Sequence, residues 1–267
     1  MNTENYKIGT CKGCSKVDTE KVDIYRFITK LDSFFQTNDL AGAGKHLNYW
    51  EQEAKALGDN AGLLTVLNEE IGYYRRTGER EQALRAVEEA TELLKSTELI
   101  NNPSGAVICI NIATTLNAFG KAEEGIPLYE QAEKIYLAQG MENTYEYAAL
   151  LNNKATALSN LKQYKQAEES IERAISILKT DGTHDGEIAV SLVNLAHLFY
   201  DNDDTAVEKV EKALDLAWEY INSPNQPHDA NYAFILSKCA PSYRYFNREI
   251  EANALEKVSA EIYGGEK

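Results

Sequence analysis

From Cys109 onward, apolar and small residues return at a helical interval. Cys109, Ile112, Ala113 and Leu116 fall at i, i+3, i+4 and i+7, so they share one face of a helix. After a polar break containing Gly120, the spacing repeats in Gly125, Leu128, Tyr129 and Ala132. The pattern then recurs along the chain. Stretches opening at Leu67, Cys109, Leu150 and Leu192 align with one another. Ala83, Gly125 and Ala167 are spaced by 42 residues, as are Ala90, Ala132 and Ala174; Ala113 and Ala155 are 42 apart, and Ala196 follows after 41. Each repeat therefore reads as two amphipathic helices joined by a short turn, with small residues at fixed slots where helix backbones approach. Turn signals fall between the helices at Thr77-Gly78, Phe119-Gly120 and Asn202-Asp203.

The flanks add a degenerate pair each. Residues 20–35 and 39–57 form one, with Ala43 and Leu47 suitably placed; residues 230–247 and 248–265 form the other, with Gly264-Gly265 as its stop. Pro241 falls inside the penultimate helix, where it is expected to kink or break it. The reading is all-α: six pairs, about twelve helices, in a single repeat domain over 19–265 behind a flexible tail at 1–18.

Composition narrows the function classes. Forty-two acidic against 27 basic side chains give a net charge of −15, which opposes nucleic-acid backbones and anionic lipid surfaces. No apolar run approaches the roughly 18 residues needed to span a bilayer. The polar start MNTENYKIGTCKGCSKVD lacks the apolar core of a secretory signal. With only four cysteines, the expectation is a cytoplasmic protein with reduced thiols. Cys11 and Cys14 make one CxxC pair, whereas a structural zinc site wants four ligands, so no metal is assigned. His184-Asp185 and His228-Asp229 sit at helix starts, where Asp caps N–H groups and His packs on the previous repeat. No phosphate loop, nucleophile elbow or HExxH occurs, and neither an enzyme nor a cofactor is expected.

An apolar residue, a small residue shortly after it, Gly near the turn, then Ala and a second Ala seven on: this pattern resembles the tetratricopeptide repeat, whose usual period is about 34 residues. The longer period here, the loops GTHDGEIA (182–189) and QPHDANYA (226–233), and Asn-Leu-Ala at 194–196 resemble the repeats of kinesin light chains. The likeness covers about 60–221, and the first repeat departs from it with Glu69 and Ile71 in the Asn and small slots. It implies an α-solenoid, a right-handed superhelix of antiparallel helix pairs, with part of each first helix lining the concave surface.

At about 100° per residue, Asn153 and Thr156 point roughly opposite the packing face of their helix. Asn111 and Thr114, and Asn194 and His197, occupy the same places in neighbouring repeats. Asn costs about 0.5–0.7 kcal/mol relative to Ala inside a helix, so its recurrence suggests a compensating use. Its amide can match both the N–H and the C=O of an extended peptide. Asn117, Asn160 and Tyr200 continue the strip, and Arg75, Arg76, Lys238 and Arg244 give it basic ends, which suits an acidic segment. The family's chaperone-binding carboxylate clamp needs basic neighbours, but Ile110, Asn152 and Ala149 stand there. The architectural alternative is that these asparagines tie repeat to repeat. The expected function is a non-catalytic scaffold that binds a protein or peptide partner through these six residues. A ligand-responsive sensor and a self-associating assembler, a homo-oligomer, are the alternatives.

Overall fold

The computed structural model describes residues 21–265 except positions 38, 97, 181 and 225. The tail read at 1–18, with Cys11 and Cys14, lies outside the described residues. Two compact units divide the chain after Gln139. In the first unit are α1 (Ile24–Gln36), α2 (Leu40–Leu57), α3 (Asn60–Thr77), α4 (Arg80–Ser96), a 3-10 turn (Glu98–Asn101), α5 (Pro103–Ala118) and α6 (Ala122–Ala138). The second has α7 (Tyr145–Asn160), α8 (Tyr164–Leu178), α9 (Asp185–Asn202), α10 (Val207–Ile221), α11 (Ala230–Tyr245) and α12 (Glu249–Gly265). No strand occurs among the described residues. Each unit is an α-solenoid stack of antiparallel helical pairs.

Local chemistry sets the boundaries. Five of the six first helices open on a capping side chain, Asp23, Asp59, Asn102, Thr144 or Asp229, and Asp39 caps α2 in the same way; each accepts an N–H three residues on. Of the two His-Asp dipeptides, His228-Asp229 caps through Asp229. His184 holds the cap position of α9 without a side-chain cap bond and stacks instead on Tyr145 of α7. Turns inside pairs are closed by left-handed residues: Gly78 and Gly120 at φ 77° and 78°, with Lys162 and Asn247 at 59° and 60° in corresponding turns. Only glycine meets that geometry without steric cost.

Packing follows the small residues. A Cβ on Gly125 would come 3.0 Å from the Ala113 carbonyl oxygen and 3.3 Å from its Cα, so α6 lies directly on the α5 backbone. First helices also stack side by side, α3 on α5 in the first unit, and α7 on α9 on α11 in the second. Tyr129, Tyr136, Leu64, Leu67, Ile71 and Ile112 are among the fully buried side chains of the first unit's core. Of the kink or break expected at Pro241, no break occurs: α11 runs on through it, and Pro127 lies likewise within α6. Both prolines are exposed, as are Ser237 and Glu123 four residues before them. The carbonyls that lose a helical donor therefore face water.

Candidate functional site

The adjacent asparagines at 152 and 153 divide the work between them. Asn152 donates its amide to Ser191 Oγ across the α7–α9 interface at 2.8 Å, while its Oδ1 is buried without a partner. Ser191 in turn donates to the Glu187 carbonyl at 2.9 Å. Asn153, one residue on, is half-buried and makes no hydrogen bond to any described residue. On the neighbouring helix Asn194 is in the same state. Thr156, a turn beyond Asn153, is exposed and donates to the Asn152 carbonyl at 3.2 Å, leaving lone pairs for an incoming donor. Asn153, Thr156 and Asn194 thus sit on adjacent helices with unclaimed polar groups.

The other three expected residues are spent within the protein. Asn111 donates to Asn68 Oδ1 at 2.8 Å, and Asn68, only 4% exposed, passes the chain to Glu69 Oε1 at 3.1 Å. This is a polar seam between α3 and α5. Thr114 donates to the Ile110 carbonyl at 2.7 Å and meets the Tyr129 hydroxyl at 2.9 Å. Burial pushes the Tyr129 phenol up to about 12 despite that bond, so it remains neutral. His197 pairs through Nε2 with Ser242 Oγ at 2.9 Å and packs on Tyr245 and Phe246. Burial lowers its pKa, against the nearby Asp201, and keeps the ring neutral near pH 7. Tyr200, on the same helix, stacks edge-on against the same two rings.

The four basic positions also separate. Arg244 is clamped by Glu249 and Glu256, Arg76 lies over the Phe35 ring, and Lys238 lies 5.1 Å from the centre of Phe234. Arg75 is hydrogen-bonded to α5: Nη1 donates to Thr115 Oγ1 at 3.0 Å and to the Asn111 carbonyl at 3.4 Å. Lys238 takes on α11 the slot that Asn194 holds on α9, since Ile188-Ala189 and Tyr232-Ala233 correspond.

From sequence, Asn152 was placed only as a neutral neighbour of the strip and Asn68 was given no role, although a signal was there. They lie 84 residues apart, two full repeat periods, in one slot. Asparagine therefore recurs in two adjacent slots, and the structure shows the earlier one serving the helix–helix contact in both units. Among the described residues, no group of His, Cys, Asp and Glu could hold a metal, and no helix is long and apolar enough to cross a membrane.

The tetratricopeptide repeat family matches residues 105–180. No curated protein matches the chain. In solved structures, BtubC (BKLC) from P. vanneervenii is similar over 86% of this chain and 91% of its own, at 18% identity and a TM-score of 0.54. A Podosopora anserina protein described as a kinesin light chain with nearly identical TPR-like repeats is similar over 76% of this chain and 96% of its own, at 19% identity and a TM-score of 0.51. A Rap protein, solved complexed with Competence and Sporulation Factor, is similar over 90% of this chain and 75% of its own, at 16% identity and a TM-score of 0.56.

Proposed function

We propose that the chain, whose residues 105–180 match the tetratricopeptide repeat family, is a non-catalytic module that grips an extended segment of a protein partner through the first helices of the second unit. The supporting observation is the pair of unclaimed amides, Asn153 and Asn194, on adjacent helices whose contact is already fixed by Asn152 and Ser191. An amide held on a rigid helix and not engaged internally loses little freedom on binding, so its bonds to a partner's backbone carry a small ordering cost. Thr156 adds an acceptor, and His197, fixed by Ser242, forms a wall. Asn111 and Thr114 hold the corresponding positions in the first unit, where they maintain the α3–α5–α6 packing.

The test is a pull-down from cell extract comparing wild type, Asn153→Ala/Asn194→Ala and Asn111→Ala, with circular dichroism on each. Partners lost from the folded double variant, and retained by any Asn111→Ala protein that remains folded, support the reading. If the double variant keeps every partner, the strip is not the binding surface. The Rap protein's bound factor favours a second reading, in which an occupant of the strip alters the protein's shape for another partner. Small-angle scattering with and without a captured partner separates the two, because only the sensor changes dimensions.

A further inference from the structure

We infer that the aromatic corner formed by Tyr200, Tyr245 and Phe246, at one end of the strip in the second unit, receives a lysine side chain of the bound partner segment. This inference rests on the reading of that unit as a segment-binding module, and it names one side chain that the segment carries.

The corner is built where two first helices end together. Tyr200 lies in the last turn of α9, Tyr245 is the last residue of α11, and Phe246 is the C-cap of α11. The three rings stand almost at right angles to one another, at 86°, 81° and 88°, with centres 5.8, 5.7 and 5.0 Å apart. Three such planes enclose a corner instead of a stack. His197 backs it, with its ring centre 5.3 Å from Tyr245 and 4.8 Å from Phe246, and its bond to Ser242 fixes its place. Tyr200 and Tyr245 are nonetheless open to solvent, 38% and 58% exposed. Asn194, His197 and Asp201 fall at i, i+3 and i+7 on α9, so the corner continues the strip beyond the unclaimed amide.

The faces of aromatic rings attract cations through their quadrupole. Perpendicular faces suit a compact ammonium better than a flat guanidinium, which stacks on one ring. The charge around the corner has the matching sign. Asp201 is exposed, and its charge acts on both His197 and Tyr245. The C-terminal ends of α9 and α11 meet here, and their last carbonyls add negative potential. Burial keeps His197 neutral, so it brings no opposing charge. In the last turn of α11, Arg244 is outweighed by its two partners, Glu249 and Glu256. The other cations of this unit that lie over rings have chosen different ones: Lys179 over Tyr220, Lys209 over Phe199 and Lys238 over Phe234. Among the described residues, no cation stands over Tyr200, Tyr245 or Phe246. Lys238 and Arg244, read from sequence as a basic end of the strip, are thus engaged, and what remains open there is aromatic and acidic.

The experiment follows the tyrosine ring resonances of the full chain by NMR, with Tyr200 and Tyr245 assigned from their loss in Tyr200→Leu and Tyr245→Leu. Three capped hexapeptides, identical except for a central Lys, norleucine or Glu, are each titrated to the solubility limit. The expected result is a saturable shift of both rings with the Lys peptide, with affinity at least tenfold weaker for norleucine and weaker again for Glu. Tyr245→Leu, checked for folding by circular dichroism, should bind the Lys and norleucine peptides alike. Asp201→Asn leaves the rings in place and should weaken the Lys peptide about threefold, with no change for norleucine. The inference is overturned if the Lys peptide gives no saturable shift, or if norleucine matches it and the corner is a plain apolar contact. It is also overturned if the exposed Tyr25 of the first unit shifts as much as the two corner tyrosines. The Lys-to-norleucine ratio is read on the wild type, so it stands whether or not a variant folds. Failure of the strip reads differently: Asn153→Ala/Asn194→Ala would then bind every peptide as the wild type does, whereas failure of the corner erases the difference between Lys and norleucine.

Discussion

Glu70, on α3, stands in a slot held by Ile112 and Leu195 in other repeats, and it is 3% exposed with Oε1 lacking a hydrogen-bond partner. Around it stand Glu51 and Lys55 from α2, Arg85 and Glu89 from α4, and Tyr74 of its own helix. Lys55 is bound to both Glu51 and Glu89, at 2.7 and 2.9 Å, so its charge is already shared. Burial, with Glu51 and Glu89 adding to it, pushes Glu70 from 4.5 up to about 8. A carboxyl raised on folding binds its proton more tightly in the folded state. The stability tied to that proton is complete below pH 4.5 and is lost as pH rises through about 8. The whole swing is on the order of 3–5 kcal/mol. Glu70→Gln keeps the shape and removes the ionisation, so it should flatten the fall in urea-unfolding stability between pH 5 and 8.5. An unchanged slope in the variant would locate the titration elsewhere. The asparagines give a second residue-scale contrast. Asn111→Ala orphans the buried Asn68 oxygen and should cost about 1–3 kcal/mol. Asn153→Ala breaks no internal bond and should be neutral or stabilise by about 0.5 kcal/mol. Thermal melts of the two variants would show whether those roles differ as their contacts do.

Among the elements, the turn inside each pair is the most informative. Gly78, Gly120 and Lys162 follow one another at 42-residue intervals and all adopt positive φ. A residue with a Cβ pays about 1–2 kcal/mol there, whereas glycine gives back part of that gain through a freer unfolded chain. Lys162→Gly should therefore stabilise the second unit by about 0.5–1 kcal/mol, read as a shift in urea midpoint at constant slope. A loss would mean that the lysine stem packs usefully on the turn. Gly125→Ala should destabilise despite its better helix propensity, because the atoms in its way are Ala113 backbone and cannot swing aside. The helices themselves were legible in sequence, since the 3.6-residue period and the 42-residue register both follow from packing. The observed α1, α2, α11 and α12 lie within a few residues of the expected spans. Position on a helix face was legible only to about one residue in 3.6. That resolution cannot tell Asn152 from Asn153, which differ by about 100° and therefore in whether they meet Ser191. The continuity of α11 at Pro241 was likewise hidden, because it depends on which side of the helix faces water. The burial of Glu70 depends on contacts between repeats, which periodicity does not encode.

At the scale of the whole molecule, net charge sets a contest that can be decided by magnitudes. The 15 excess negative charges repel one another in any compact state, and salt screens that repulsion over a Debye length of about 8–10 Å. Salt also weakens the ion pairs, but most of those present are at least partly exposed, such as Lys165–Glu169 and Lys257–Glu261. Pairs of that kind are worth about 0–1 kcal/mol each, with little to lose. The Arg248 cluster is the exception, because its guanidinium is only 15% exposed between α10 and α12 and is less open to screening. Repulsion should therefore dominate, and added salt should stabilise the protein. Raising NaCl from 0.05 to 0.5 M at pH 7.5 should lift Tm by about 2–5 °C, equivalent to roughly 1 kcal/mol for a chain of this size. Arg248→Gln should lower Tm at both salt concentrations and leave the increment between them nearly unchanged. A fall in Tm with salt would mean that paired charges outweigh the excess, and the acidic surface would then be an organised network instead of a diffuse field.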